Sequence, residues 1–146
     1  MIEFKGEITG KTLKFYVNRY KKLFGILLII SSLFVGACFG VYSICIPALF
    51  MVVLLVLCPA KVFASLAPNR VFIDLEDRTI VSAIKGSPDA FRMIDDIIEV
   101  KDYGEFYTFK FTSPRNYVNF IVQKDLISQG TIGEFEELFR EVIIRV

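Results

Sequence analysis

The sequence has no histidine, no tryptophan, and no cysteine outside a single apolar run. Histidine is the commonest general base and transition-metal ligand, so its absence removes Ser-His and Cys-His nucleophile arrangements and most metal sites. The three cysteines, Cys38, Cys45 and Cys58, are odd in number and all sit among apolar residues. That argues against a disulfide scaffold and fits small, buried apolar side chains. No glycine-rich phosphate cradle is present. The residues predict no catalytic site, no metal site and no cofactor.

Charge is missing too, and in one place: no charged residue occurs between Lys22 and Lys61. One membrane crossing takes ~20 apolar residues at 1.5 Å rise each. Leu23 to Ala60 is too long for one helix and about enough for two joined by a short turn. A buried core helix of that length would carry a polar face, and a signal sequence would have a shorter apolar core nearer the N-terminus. The predicted spans are Leu23–Val41 and Ser43–Ala64, with Pro47 in the first turn of the second and a kink at Pro59. Ser32, Gly36 and Gly40 recur on one face of the first span, where small residues let helices approach closely in lipid. That face predicts packing within the hairpin or assembly into a homo-oligomer.

What is present around the run is basic. Lys5, Lys11, Lys14, Arg19, Lys21 and Lys22 precede it, against Glu3 and Glu7, and Lys61 follows. Basic flanks stay on the cytoplasmic side, which predicts a multi-pass membrane protein with both termini cytoplasmic. Lys11, Lys14, Arg19, Lys21, Lys22 and Lys61 are candidate contacts to the membrane surface, where each basic residue contributes ~1 kcal/mol. Residues 61–146 hold eleven basic and fourteen acidic residues, so the net charge of +1 sums unlike parts.

Periodicity divides the rest. Ile2, Phe4 and Ile8 alternate with Glu3, Lys5 and Glu7 as in a strand. From Lys11 the spacing turns helical, with Leu13, Val17, Tyr20 and Phe24 on one stripe running into the first span. After Pro68 come strand patterns at Val71–Leu75, Arg78–Ile84, Phe91–Met93, Ile97–Tyr103, Phe106–Thr112 and Tyr117–Val122, joined by short turns as in an antiparallel meander. Thr131 and Glu134 have capping-box spacing, and Ile132, Phe135, Phe139, Val142 and Val146 predict a closing helix to the end. The divisions are 1–22, a cytoplasmic strand and juxtamembrane segment; 23–66, the transmembrane hairpin; and 69–146, a cytoplasmic domain.

Asp95 and Asp96 are paired carboxylates of a kind that can bind metal or move protons. Adjacent strand residues point to opposite faces, so a turn or cap is the better reading.

This order of elements resembles the YcxB-like family of small bacterial membrane proteins. The residues that carry the resemblance are Val71–Ile84, Phe91-Arg92-Met93-Ile94-Asp95-Asp96-Ile97, and Tyr117 to Val146. The last stretch includes Gln123-Lys124-Asp125-Leu126 and the spacing Gly130, Glu134, Phe135, Leu138. The resemblance implies a pleckstrin-homology-like (PH-like) α+β domain, a bent antiparallel sheet plugged by its C-terminal helix, behind a transmembrane α-hairpin. It implies no catalytic activity. The six strands after the linker are one short of seven, and Ile2–Ile8 is the candidate for the missing one. The turn Glu76-Asp77-Arg78 makes a poor anion site. The expected partners are the lipid bilayer and another protein, not nucleic acid. The leading function is a non-enzymatic interaction module at the membrane; the alternative is a small pore or transporter-associated subunit assembled through the transmembrane helices.

Overall fold

The structure, a computed structural model, describes residues 1–40, 62, 64–113 and 120–146. Two compact units emerge: Met1–Tyr16 together with Leu66–Val146, and Val17–Ser65. The first is an α+β domain. The second holds most of a long helix, α1 (Gly10–Phe39). The predicted turn at 41–43, Pro47, Pro59, Lys61, Cys45, Cys58 and nearly all of the second span lie outside the described residues.

The alternation of Ile2 and Phe4 does build a strand, β1 (Ile2–Lys5). Its place is inside a sheet, not at its edge. β1 pairs antiparallel with β2 (Arg70–Asp74) on one side and β8 (Ile127–Gln129) on the other. β2 continues to β3 (Thr79–Ala83), and β3 to β4 (Ala90–Met93), giving a five-stranded sheet in the order β4-β3-β2-β1-β8. Ile2 lies opposite Ile73 and Phe4 opposite Val71, so both apolar side chains join the core.

A second sheet has the order β7-β6-β5-β9, from β5 (Ile97–Asp102), β6 (Phe106–Phe111), β7 (Ile121–Gln123) and β9 (Ile143–Arg145). The chain passes between sheets at two corners of the same design. A 3-10 turn at Ile94–Asp96 separates β4 from β5, and another at Lys124–Leu126 separates β7 from β8. Bends of this kind let one run of chain serve two sheets packed across a common core. That core gathers Phe4, Ile73 and Ile80 from one sheet with Val100, Phe109 and Val122 from the other.

The closing helix is shorter than its stripe predicts. α2 covers Ile132–Leu138, and Ile143–Arg145 is a strand parallel to β5. Backbone bonds back to Phe139 turn the chain at Val142 and Ile143, and Val100 N–H donates to the Val142 carbonyl at 2.9 Å. The predicted all-antiparallel arrangement therefore gains one parallel edge. The start of α2 is as predicted: Thr131 Oγ1 accepts from Glu134 N–H at 3.1 Å, and the Glu134 carboxylate accepts from Thr131 N–H at 2.9 Å. Phe135 and Phe139 plug the core. The Phe135 ring lies 5.6 Å from Phe4 and 4.6 Å from Tyr107, centre to centre.

One smaller expectation fails. Leu75 is exposed rather than part of β2's core face, because the Asp74 carboxylate accepts from the N–H groups of Glu76 and Asp77 and ends the strand in a turn. The Tyr117–Val122 strand is described from Ile121, and 114–119 lie outside the described residues.

Helix α1 runs unbroken from the juxtamembrane segment into the apolar run, as its spacing predicts. It is long and apolar enough to cross a membrane, and its most apolar window is only 6% buried. Ile30, Leu33 and Phe34 are each more than 60% exposed. At its start Val17 is buried as predicted, Leu13 is half-buried, and the covered stripe extends to Thr12 and Tyr16.

Candidate functional site: the sheet end that carries the apolar helix

Between Lys5 and Arg70, which lie opposite each other in the sheet, the chain makes its whole apolar excursion. Departure and return are tied. Gly6 N–H donates to the Asn69 carbonyl at 2.9 Å, and Tyr16 OH donates to the Leu66 carbonyl. Gly6 has φ +144, and a Cβ there would meet Leu126 Cδ2 at 2.8 Å. Both conditions favour glycine at this exit.

The first turns of α1 dock on the domain. Thr9 N–H donates to Gln123 Oε1 at 2.9 Å. Phe15 packs on Tyr103 and Phe106, at 5.0 and 5.1 Å between ring centres. Lys11 pairs with Glu105 in the β5–β6 turn, so this candidate membrane contact already has a carboxylate partner. Lys14 and Lys22 are exposed, and Arg19 and Lys21 half-buried. Along α1, Ser32 and Gly36 are buried within one copy of the chain and Gly40 is exposed.

Beside the exit, Glu3 occupies the face of β1 opposite the core. Its carboxylate accepts from Arg70 Nε and from Ser128 Oγ at 3.0 Å. Those bonds, Arg70 first, hold the carboxyl below its ordinary value despite partial burial. A second polar group joins the sheet to α2. Lys124 Nζ sits 2.9 Å from the Asp102 carboxylate and 4.4 Å from the centre of the Tyr107 ring. Tyr107 OH donates to Glu136 at 2.7 Å. Burial, reinforced by Glu136, pushes the Tyr107 hydroxyl far above its ordinary value. Burial pushes Asp102 up, but Lys124 and the Gly104 N–H outweigh it and leave the carboxyl lowered.

Asp95 and Asp96 stand in the first 3-10 turn. Asp95 binds the Arg78 guanidinium through two bonds. Arg78 has φ +50, a conformation costing roughly 1–2 kcal/mol for a residue with a Cβ. Asp95 helps hold that turn, as does Ile94 N–H bonding the Arg78 carbonyl at 2.8 Å. Among the described residues, no three His, Cys, Asp or Glu side chains gather as metal ligands.

Periodicity revealed β1 and the plug helix but missed the Glu3–Arg70–Ser128 group. Its members are far apart in sequence, and the one local signal was an acid between two apolar strand residues. No family model, curated protein or solved structure matches the chain.

Proposed function

We propose that this chain is a small, non-enzymatic integral membrane protein whose cytoplasmic domain serves as a protein-interaction module at the membrane. The pairing of β1 with β2 carries this reading. It places both ends of the apolar excursion in one folded domain, joined by the Gly6–Asn69 bond. A chain that crosses lipid through α1 must then cross back before Leu66, so the crossings are even in number and both termini share a side. The basic flank makes that side the cytoplasm. The exposed apolar side chains of α1 support lipid contact, since a core helix would bury them.

The strand plan supports the PH-like reading. Counting β1, four strands of one sheet lead into three of the other and then into α2. On this reading β1 takes the place of the seventh strand that the YcxB-like resemblance implies. β8 and β9 are additions to that plan. The basic residues Lys14, Arg19, Lys21 and Lys22 are assigned to the anionic membrane surface, with Lys61 at the other flank.

As a surface for a protein partner the domain offers β4, the end strand of its sheet among the described residues, with Phe91 70% exposed. An exposed edge presents unpaired backbone groups to an incoming strand. A photo-crosslinking residue at Phe91, in native membranes, should yield a discrete protein adduct that the same residue at Glu76 does not. Absence of any protein adduct at Phe91 would contradict the interaction-module reading.

A further inference from the structure

β1 is a four-residue strand that cannot form a sheet alone, yet it fills an interior position of one. Remove it, and β2 and β8 face each other across an empty strand position. The walls of that slot are specific. Ile73 and Val71 lie opposite Ile2 and Phe4. On the core side Phe135 meets the Phe4 ring edge-on. On the other side Arg70 and Ser128 converge on the carboxylate of Glu3. Gly130, at φ +77, leaves the space for Ile2; a Cβ there would come within 3.2 Å of Ile2 Cγ1.

We propose that the slot between β2 and β8 is a strand-recognition site for an apolar–acid–apolar segment, filled by β1 of the same chain, and that its filling couples completion of the domain to the return of the chain across the membrane. The coupling follows from connectivity. β1 emerges first and its partners β2 and β8 emerge after the apolar excursion. They meet only if that excursion ends on the side where it began. A chain that crosses once leaves β1 on one side and an unfilled slot on the other. The slot then exposes two unpaired strand edges and the apolar side chains Ile73 and Val71, a form open to proteolysis. Recognition by shape and charge makes the site selective: a strand without the middle acid leaves Arg70 without its carboxylate.

This inference rests on the two-crossing reading above, and the test separates the two. The full chain is compared with a variant lacking residues 43–64, which can cross once at most. A reporter after Val146 gives the side, and limited proteolysis from that side gives the integrity of residues 69–146. The intact chain should read cytoplasmic and resistant. The deletion variant should read external and be cleaved at least tenfold faster. A second copy of residues 1–9, attached by a flexible linker after Val146, should restore most of the resistance, and the same graft carrying Phe4→Asp should not. Phe4→Asp in the otherwise intact chain should lose resistance with the reporter still cytoplasmic. An external deletion variant as resistant as the intact chain would overturn the proposal, as would a graft that fails to protect or a resistant Phe4→Asp chain. An intact chain with an external reporter, or a deletion variant with a cytoplasmic one, would overturn the two-crossing reading instead.

Discussion

Helix α1 and the sheet domain are built from much the same apolar alphabet and treat it in opposite ways. Phe34 on α1 is 69% exposed, whereas Phe135 in the domain is completely buried. In the domain, apolar strands alternate with charges that find partners, such as Glu99 with Lys101 and Lys110. In α1, beyond Lys22, there are no charges to pair. Burying apolar surface stabilises by roughly 25 cal/mol per Å². The domain gains this from its own side chains; α1 leaves it to be gained from a surrounding solvent, and a bilayer is one in which a helix satisfies every backbone group internally. Similar residues in different patterns thus call for different solvents.

The comparison predicts that damage to the two regions takes different forms. The largest effect is expected in the domain. Phe135→Ala removes the side chain that touches Phe4, Tyr107, Phe109 and Phe139. Such truncations cost ~3–5 kcal/mol, comparable to the whole stability of a small domain. Limited proteolysis should show rapid cleavage of residues 69–146, with the helix still in the membrane. Glu137→Ala, where the side chain is exposed and paired with Arg140, should behave as wild type.

Next comes α1. An arginine at the centre of a span costs ~2.5–3.5 kcal/mol on insertion scales. Leu28→Arg should raise the fraction of chain extractable by alkaline carbonate. Full membrane retention would count against α1 as a spanning helix. A smaller loss is expected from Thr131→Ala, which deletes the side-chain half of the capping box, typically ~1 kcal/mol. The denaturation midpoint of the domain should fall modestly, without any change in membrane retention.

The smallest effect is a pH dependence confined to the domain. Glu3 and Asp102 both have folded carboxyls below their ordinary values of 4.5 and 3.8. A lowered folded value contributes stability that is fully present above the ordinary value and lost as pH falls through the lowered one. Resistance to proteolysis should be flat from neutral pH to about pH 5 and decline below pH 4. Glu3→Gln should flatten part of that decline and leave the membrane retention of α1 unaltered at every pH.

How far the sequence could be read depended on whether a feature was local. The capping box at Thr131, the first part of the apolar run and the alternation in Ile2–Phe4 are local patterns, and each appears where the spacing put it, the run as helix α1. The interior position of β1 depends on register with β2 and β8, about 70 and 125 residues away, and no short window contains that. The end of α2 was misread because Val142 continues the helical stripe. Its side chain does pack against the core, but from a turn leading into β9. Leu75 kept the strand period while Asp74 had already turned the backbone. Of the candidate site residues, Ser32 and Gly36 are buried and Lys14 and Lys22 exposed. Lys11 gains an ion-pair partner, Glu105, that lies too far away in sequence for any local pattern to show.

The claim on which the account turns is that β1 returns both ends of the apolar excursion to one side of the membrane. The most direct measurement is topology mapping of the intact chain with reporters at three places: before Met1, between Gly40 and Ser43, and after Val146. The account predicts cytoplasmic signals from the two ends and an external signal from the middle. Ends on opposite sides would contradict it, because β1 could not then lie between β2 and β8.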